Sequence, residues 1–246
     1  MRIIKNPYTL LGLGLLFLGI ALSLVSSFVL ESTPMTALGI SAFIIGSICI
    51  ALARTRPNIS PEASAILLET GIENTAAIVE ELGLNAGAIY IPSSATKEGG
   101  CAVIPISSKG NVQIRDKIPK RLITKYGAGD DDIGIMVTTP GSVCLRMLKT
   151  KPGSTTSEIE AAITSILAGA LDIADSARVN IAGDKAVITI TNPRLKHKDI
   201  KFYQCIGSPL ASIAATLVCE AIDKPLVIEA ENQEKGKTTI ELRILA

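Results

Sequence analysis

The sequence predicts an α+β protein in which a transmembrane helical hairpin precedes a cytoplasmic domain with a mixed or antiparallel sheet. Two observations carry this prediction: a pair of uncharged apolar runs near the N-terminus, and a helix–strand–strand pattern used twice towards the C-terminus. We expect a hairpin over residues 1–56, an α/β part of the cytoplasmic domain over 57–153, and an α-β-β-α-β-β part over 154–246.

The two apolar runs cover residues 9–30 and 35–53, and neither contains a charged side chain. Each is long enough to cross a hydrocarbon core of about 30 Å at about 1.5 Å per helical residue. Only 31–34 separate them, so the two helices must be antiparallel and in contact. The alternative is a signal peptide over 1–30, but its apolar region would be about 7–15 residues long and end at a small-x-small site. A second span follows at once, which favours the hairpin.

The basic residues flanking the spans predict the orientation. Arg2 and Lys5 precede the first span, Arg54 and Arg56 follow the second, and the connecting turn carries only Glu31. Because Lys and Arg remain on the cytoplasmic side, we expect a two-span protein of the cell membrane with both termini in the cytoplasm.

Small residues recur every seven positions in both spans, which places them on one stripe of each helix. They are Gly12, Gly19 and Ser26 in the first span, and Gly39, Gly46 and Ala53 in the second. Small residues let membrane helices approach closely, so we interpret the stripes as the packing seam of the hairpin; a general abundance of Gly in membrane helices is the alternative. With no ionisable residue inside either span, a transport path is not expected.

Composition argues against several classes of function. The 24 Lys/Arg and 23 Asp/Glu are nearly balanced, whereas a protein that binds nucleic acid usually has a basic excess. The five cysteines lack zinc-type spacing, and His197 is the single histidine, in a lysine-rich loop. We therefore expect buried reduced thiols, no metal site and no cofactor.

After the hairpin, two short helices are predicted, one from Pro61 to about Thr70 and one over about 74–82. Ser60 is the expected N-cap of the first helix, and Gly71 and Gly83 are the expected stops.

Two apolar runs, 88–92 and 101–106, then predict paired strands, and Pro92 and Pro105 favour sheet edges or bulges. The basic segment 114–126 is either a solvated face or a contact with anionic lipid headgroups. Its basic residues are Arg115, Lys117, Lys120, Arg121 and Lys125.

The stretch 127–148 holds two candidate sites around a predicted strand, 133–137. The carboxylates of 130–132 could bind a hard cation, but their spacing is not that of a calcium loop, so a solvated turn is expected. A helix over about 142–148 follows, and its N-terminus could bind an anion, with ordinary capping as the alternative. The residues of this candidate ligand site are Thr138, Thr139, Gly141 and Ser142.

From residue 154 the pattern is regular. Thr155 and Glu158 form a capping box that opens a helix through about Ala174. A hairpin follows, with arms over 177–183 and 185–192 and a Gly183-Asp184 turn. A second helix over 208–222 and a second hairpin, with a turn over 232–237, repeat the order. Successive hairpins predict an antiparallel sheet with the helices on one face.

The last forty residues carry a family resemblance. The Cys205–Pro209 run CIGSP, the helix to Glu220-Ala221, the run KPLVI and the closing strand TIELRI are similar to the end of a four-vinyl-reductase-type domain. The resemblance implies a small-molecule-binding module. A cysteine typical of that family between the last two strands is replaced by NQEKGK, so thiol or metal chemistry is not carried over. The two-span arrangement also resembles uncharacterised archaeal membrane proteins, which implies no activity.

Three functional hypotheses remain open. With no nucleophile elbow, Walker motif, Rossmann fingerprint or metal-spaced cluster, we favour a non-enzymatic module that binds a small molecule or a protein partner. The second is an enzyme acting on a membrane-derived or phosphorylated substrate, for which Ser93–Ser94, 130–132 and Thr138–Ser142 would have to converge on one pocket. The third is a structural subunit that docks through the hairpin glycines.

Overall fold

The structure is a computed structural model and describes residues 7–55, 61–96, 99–106, 114, 118–119, 121–148, 150–195 and 200–245. Two compact units divide the chain, Met1–Leu68 and Glu69–Ala246. The division falls twelve residues after the predicted end of the hairpin segment at 56, inside a helix, and each unit is described by itself below.

The first unit contains two long apolar helices, α1 (Pro7–Phe28) and α2 (Thr33–Thr55). Thr9–Phe28 and Thr33–Arg54 are both long and apolar enough to cross a membrane. The predicted spans are slightly misplaced. α1 ends at Phe28 rather than at residue 30, and Pro34 lies in the first turn of α2, where its missing N–H has no helical partner to lose.

The helices α1 and α2 approach at backbone contact distance along their glycines. A Cβ atom added to Gly19 would lie 2.6 Å from the backbone N of Phe43, and one added to Gly39 would lie 2.7 Å from the N of Ser23. By contrast, Gly14 faces open space, with no atom within 4 Å of an added Cβ. The close approach is therefore confined to one side of each helix.

The other seam residues differ in their surroundings. Added Cβ atoms at Gly12 and Gly46 would lie 2.8 Å from Ile50 Cγ1 and Leu16 N. Ser26 is fully buried, and Ala53 is half-buried. Because the four glycines face the neighbouring helix of the same hairpin, they are engaged within the chain, which weakens the hypothesis that they form a docking surface for another subunit.

A single helix, α3 (Pro61–Glu81), replaces the two predicted short helices. Gly71 does not end the first of them, because one glycine inside a helix costs only about 1 kcal/mol relative to alanine. The hydroxyl of Thr75 donates to the Gly71 carbonyl at 2.8 Å, so the helix continues through this position. Ser60, the expected N-cap, lies outside the described residues.

The second unit is built on one eight-stranded antiparallel sheet of order β3-β4-β2-β1-β7-β8-β6-β5. The strands are β1 (Ile89–Ile91), β2 (Cys101–Pro105), β3 (Ile123–Lys125), β4 (Ile133–Val137), β5 (Ser176–Ala182), β6 (Lys185–Thr191), β7 (Leu226–Glu234) and β8 (Lys237–Ile244). The hairpin β7–β8 lies between β1 and β6. Segments 57–153 and 154–246 therefore share one sheet.

Burial differs between the two halves of the sheet and explains their sequence patterns. All residues of β1 and β2 are buried, because both faces of this half are covered. Tyr90 and Ala102 belong to the main core with the helices, whereas Ile91 and Val103 pack on the opposite face with Ile118 and neighbouring residues. β6 and β8 instead alternate buried and more exposed positions, as expected for a sheet covered on one face.

The prediction that Pro92 and Pro105 mark sheet edges or bulges is wrong, since β1 and β2 are central and their pairing registers are regular. Pro105 is the last residue of β2 and lies opposite Gly134, and Pro92 follows β1. Both prolines lie at or just beyond strand ends, so the missing N–H leaves the central part of each ladder intact.

The helices of the second unit pack on the face of the sheet that carries the main core. They are the end of α3 together with α4 (Pro140–Leu145), α5 (Thr156–Thr164), α6 (Lys201–Ile206) and α7 (Pro209–Ile222). α5 continues as a π-helical turn, Ser165–Ala170, so the predicted helix ends four residues before Ala174. α4 begins at Pro140, two residues before the predicted start.

The predicted α+β class, with a twice-used helix–strand–strand unit, is confirmed. Thr155 caps α5 through the predicted capping box with Glu158, and Ser208 caps α7. The strands β7 and β8 extend through most of the predicted turn, leaving only Lys235 and Gly236 between them. A third apolar stretch of membrane-spanning length, Lys201–Ile222, is 83% buried inside this unit.

Candidate functional site

The ends of four neighbouring strands meet at one end of the sheet. β1 and β4 both pair antiparallel with β2, so their carboxyl ends lie at the end of the sheet where β2 begins. Ser93 follows β1, Thr138 follows β4 and Gly100 precedes β2. Arg121 precedes β3. Because β3 is antiparallel to β4, Arg121 lies at the same end of the sheet.

Two adjoining cavities open at this end of the sheet, with volumes of about 220 Å³ and 260 Å³. Both are lined by Gly99, Gly100 and Arg146, and we refer to the pair as the strand-end groove. The smaller cavity is further lined by Thr96, Cys101, Ile118, Arg121, Leu122, Met136 and Thr138. The larger is further lined by Ser93, Ser142, Leu145, Leu148, Thr150, Lys151, Pro152 and Glu220.

Glu220 is the buried carboxylate of the groove, with a relative exposure of 5%. Its Oε2 accepts a hydrogen bond from the backbone N–H of Ser93 at 2.8 Å, and its Oε1 accepts from the Ser93 hydroxyl. The ammonium of Lys151 lies 3.5 Å from Oε1. A buried charge needs such partners, and here they fix the turn after β1 to the end of α7.

Lys151 also bridges Glu220 to Asp223, whose Oδ1 accepts from its ammonium at 3.2 Å. Partial burial lowers the pKa of Lys151, but the hydrogen bond to Asp223 and the two carboxylate charges outweigh it, so the pKa is raised. The pKa of Asp223 is lowered by the hydrogen bond from Ser94 and by Lys151. Lys151 and Asp223 are therefore both charged near neutral pH.

Arg121 and Arg146 differ from Lys151 because neither has an acidic partner among the described residues. Arg121 lines the smaller cavity, and Arg146 lines both. Among the residues that the structure describes, those lining the smaller cavity include these two cations and no carboxylate. The strand-end groove thus has an excess of positive charge that side chains of the described part of the chain leave unpaired.

The predicted ligand residues 138–142 lie beside this groove, but in different environments. Thr138 lines the smaller cavity and Ser142 the larger. Thr139 is buried and caps α4: its Oγ1 accepts from the Ser142 N–H at 3.1 Å. A Cβ atom on Gly141 would lie 2.2 Å from Thr216 Oγ1, so α4 packs directly on α7 there.

The three segments of the enzyme hypothesis do not converge. Ser93 and Ser142 line the same cavity, but 130–132 lie at the opposite end of β4 from Thr138. They form an exposed turn in which Asp130 pairs with Lys125 at 2.8 Å and Asp132 Oδ2 accepts from the N–H of Gly129 at 2.7 Å. This is the solvated turn that the sequence predicts.

Two cysteines lie next to the groove. Cys101 begins β2, and Cys219 precedes Glu220 on α7; both are buried. Burial raises the pKa of the Cys219 thiol well above its usual value, and the charge of Glu220 raises it further. Cys219 is therefore a neutral thiol. Within the described ranges, no three His, Cys, Asp or Glu side chains are grouped so as to hold a metal ion.

Several residues singled out in the sequence lie outside the described ranges. These are Arg2, Lys5, Arg56, Arg115, Lys117, Lys120 and His197.

The sequence did not identify Arg146, Lys151 and Glu220 as groove residues. It assigned Arg121 only to the basic segment 114–126, as part of a solvated face or a contact with lipid headgroups. Glu220 carried a usable signal, because it is the single charged residue of the apolar helix α7. Arg146 and Lys151 carried none, since basic residues at the end of a helix and in the loop after it are common, and only the fold brings these two to the end of β1.

Comparison with known proteins gives a family. The family model described as a domain of unknown function, DUF7982, matches residues 1–244. The chain belongs to this family. No protein of curated function and no solved structure matches it. The DUF7982 match covers the apolar helices and the sheet alike, so both units are part of what the family shares.

Proposed function

We propose that the protein is a membrane-anchored, non-enzymatic binding module whose strand-end groove takes a small-molecule ligand. The observation that carries this proposal is the pair Arg121 and Arg146, two cations that line one cavity without acidic partners among the described residues. Concave sites with apolar walls and a few convergent polar groups are typical of ligand pockets.

The hairpin α1–α2 serves as the anchor in this proposal. Arg54 in the last turn of α2, with Arg2, Lys5 and Arg56 in the flanking sequence, favours a cytoplasmic position for both termini and for the second unit. The uncharged interior of both helices favours an anchor over a conduit.

Binding is favoured over catalysis by the state of the polar groups at the groove. Both oxygens of Glu220 are engaged by Ser93, and Oε1 also faces Lys151. These contacts occupy both oxygens of Glu220, so its carboxylate fixes the turn after β1 to the end of α7. The resemblance of the last forty residues to four-vinyl-reductase-type small-molecule-binding domains supports the same proposal.

Filling the groove tests the proposal. A Cβ atom on Gly100 would lie 3.2 Å from Leu145 Cδ1 and 3.6 Å from Glu220 Oε2, so the side chain of Gly100→Leu enters the groove. Gly169→Leu is the matched control, since Gly169 is exposed and has only Ser165 Oγ near an added Cβ, at 4.0 Å. The full chain would be purified from its own host in mild detergent and examined by native mass spectrometry.

We expect a bound small molecule on the unmodified chain and on Gly169→Leu, and its loss from Gly100→Leu. A chain that carries no adduct, or a Gly100→Leu variant that retains it, would contradict the proposal.

A further inference from the structure

The strand-end groove also constrains the chemical class of its ligand. Four features bear on this: the balance of charge, the pairing of each charge, the distribution of apolar surface, and the floor between the two cavities. This inference rests on the proposed binding function and goes on to ask what is bound.

The charge balance favours an anion. The described side chains that line the groove include three cations, Arg121, Arg146 and Lys151, and one carboxylate, Glu220. Lys151 and Glu220 neutralise each other, with Asp223 as a second partner of Lys151. The two guanidinium groups remain, and guanidinium is the side chain best suited to bind carboxylate or phosphate oxygens in pairs.

The apolar surface is concentrated beside Arg121. Ile118 and Met136 form a buried wall of the smaller cavity, with exposures of 2% and 9%. Leu122, which follows Arg121, is 64% exposed although it lines the same cavity. A ligand with an apolar part would cover Leu122 and gain about 25 cal/mol per Å² of apolar surface removed from water.

Backbone forms the floor between the cavities. Gly99 has a φ of +100°, which only glycine adopts without strain, and Gly100 lies within reach of both Leu145 and Glu220. No side chain therefore projects from these two positions, which line both cavities together with Arg146.

We propose that the strand-end groove binds an amphiphilic anion, a small molecule with a phosphate or carboxylate group held by Arg121 and Arg146 and a short apolar part lying on Ile118, Leu122 and Met136. Two sources supply this chemistry: an anionic lipid of the membrane, or a water-soluble metabolite.

A set of four probes tests the ligand class on the full chain in phosphatidylcholine nanodiscs. Butyl phosphate carries both the negative charge and an apolar chain. Inorganic phosphate carries only the charge, and 1-butanol carries only the chain. Butyltrimethylammonium carries the chain with a positive charge. Isothermal titration calorimetry should show butyl phosphate binding more tightly than each of the other three. Equal binding of butyl phosphate and butyltrimethylammonium, or no binding of butyl phosphate, would overturn the inference.

Two variants connect the binding to the named side chains. Arg146→Gln and Arg121→Gln should each weaken butyl phosphate binding about tenfold or more, as for the loss of a charge-assisted hydrogen bond. Arg178→Gln, on the exposed side of β5 and far along the sheet, should leave it unchanged. Unaltered affinity in both groove variants would contradict the assignment.

A second arm separates the sources. If phosphatidic acid added to the nanodiscs weakens butyl phosphate binding by competition, the ligand is a lipid; if the affinity is the same with and without it, the ligand is soluble. An adduct that is lost from Gly100→Leu but proves neutral or cationic would overturn the ligand class and leave the binding function standing.

Discussion

At the scale of single residues, the two acidic side chains at the end of α7, Glu220 and Asp223, make different contacts. Glu220 is buried and ties the turn after β1 to the helix. Asp223 is half-exposed, has a left-handed φ of 56°, and accepts hydrogen bonds from Ser94 and Lys151. Together they hold Ser93 and Lys151, which line the groove, and the neighbouring Ser94, so the shape of the site depends on a few charge-assisted contacts.

The lowered pKa of Asp223 predicts an acid-labile contribution to stability. The folded state holds the proton less tightly than the ordinary value of 3.8 implies, so the contribution is present above about pH 4. It is lost as the pH falls through the folded pKa. We expect Asp223→Asn, which tolerates the left-handed backbone, to reduce the decline of the urea midpoint between pH 6 and pH 3.

The control for this measurement is Asp184→Asn in the exposed β5–β6 turn, which should follow the unmodified chain. If Asp223→Asn declines as steeply as the unmodified chain, the contacts of Asp223 do not contribute to the pH dependence.

At the scale of elements, helix α5 protects an edge of the sheet. β5 is the last strand, and its outward backbone groups would otherwise be unpaired. The Ala177 N–H donates to Thr164 Oγ1 at 3.2 Å, and the Val179 N–H donates to Glu160 Oε2 at 3.1 Å. Two side chains of α5 thus occupy donors that could pair with a strand of another molecule.

Removing this protection should promote self-association. We expect Glu160→Ala to lower stability by about 1 kcal/mol through loss of one hydrogen bond, and to raise the fraction of oligomer measured by sedimentation velocity. Glu73→Ala on the exposed side of α3 is the matched control and should change neither quantity. If Glu160→Ala leaves the fraction of oligomer unchanged, the outer edge of β5 is protected by other contacts.

At the scale of the whole molecule, the elements were more predictable than their arrangement. Alternation in Lys185–Thr191 and the capping box at Thr155 are local signals, so β6 and the start of α5 follow from sequence. The placement of β7 beside β1, through Leu226 and Tyr90, is a non-local pairing that no short window encodes. Arg146 and Glu220 come to the same cavity through the packing of α4 on α7, at Gly141 and Thr216, which is likewise a non-local contact that the sequence does not encode in any short segment.

The proposed orientation of the whole chain can be measured by cysteine labelling in intact cells. Glu31→Cys, in the α1–α2 turn, should react with a membrane-impermeant maleimide from outside, and Asp184→Cys should react only after permeabilisation. Background labelling should be low, because four native cysteines are buried and Cys49 lies within α2. The reverse pattern would place the second unit outside the cell.

The insertion of the β7–β8 hairpin into the middle of the sheet sets an order for biosynthesis. Strands β1 to β4 and strands β5 and β6 meet only through Leu226–Ile244, which leaves the ribosome after all of them. Until then β1 and β6 each present an open edge. Closure of the sheet is a late, long-range step of the kind that folds slowly. A translational pause before Leu226 would therefore leave a nascent chain with two exposed sheet edges, a substrate for chaperones and proteases.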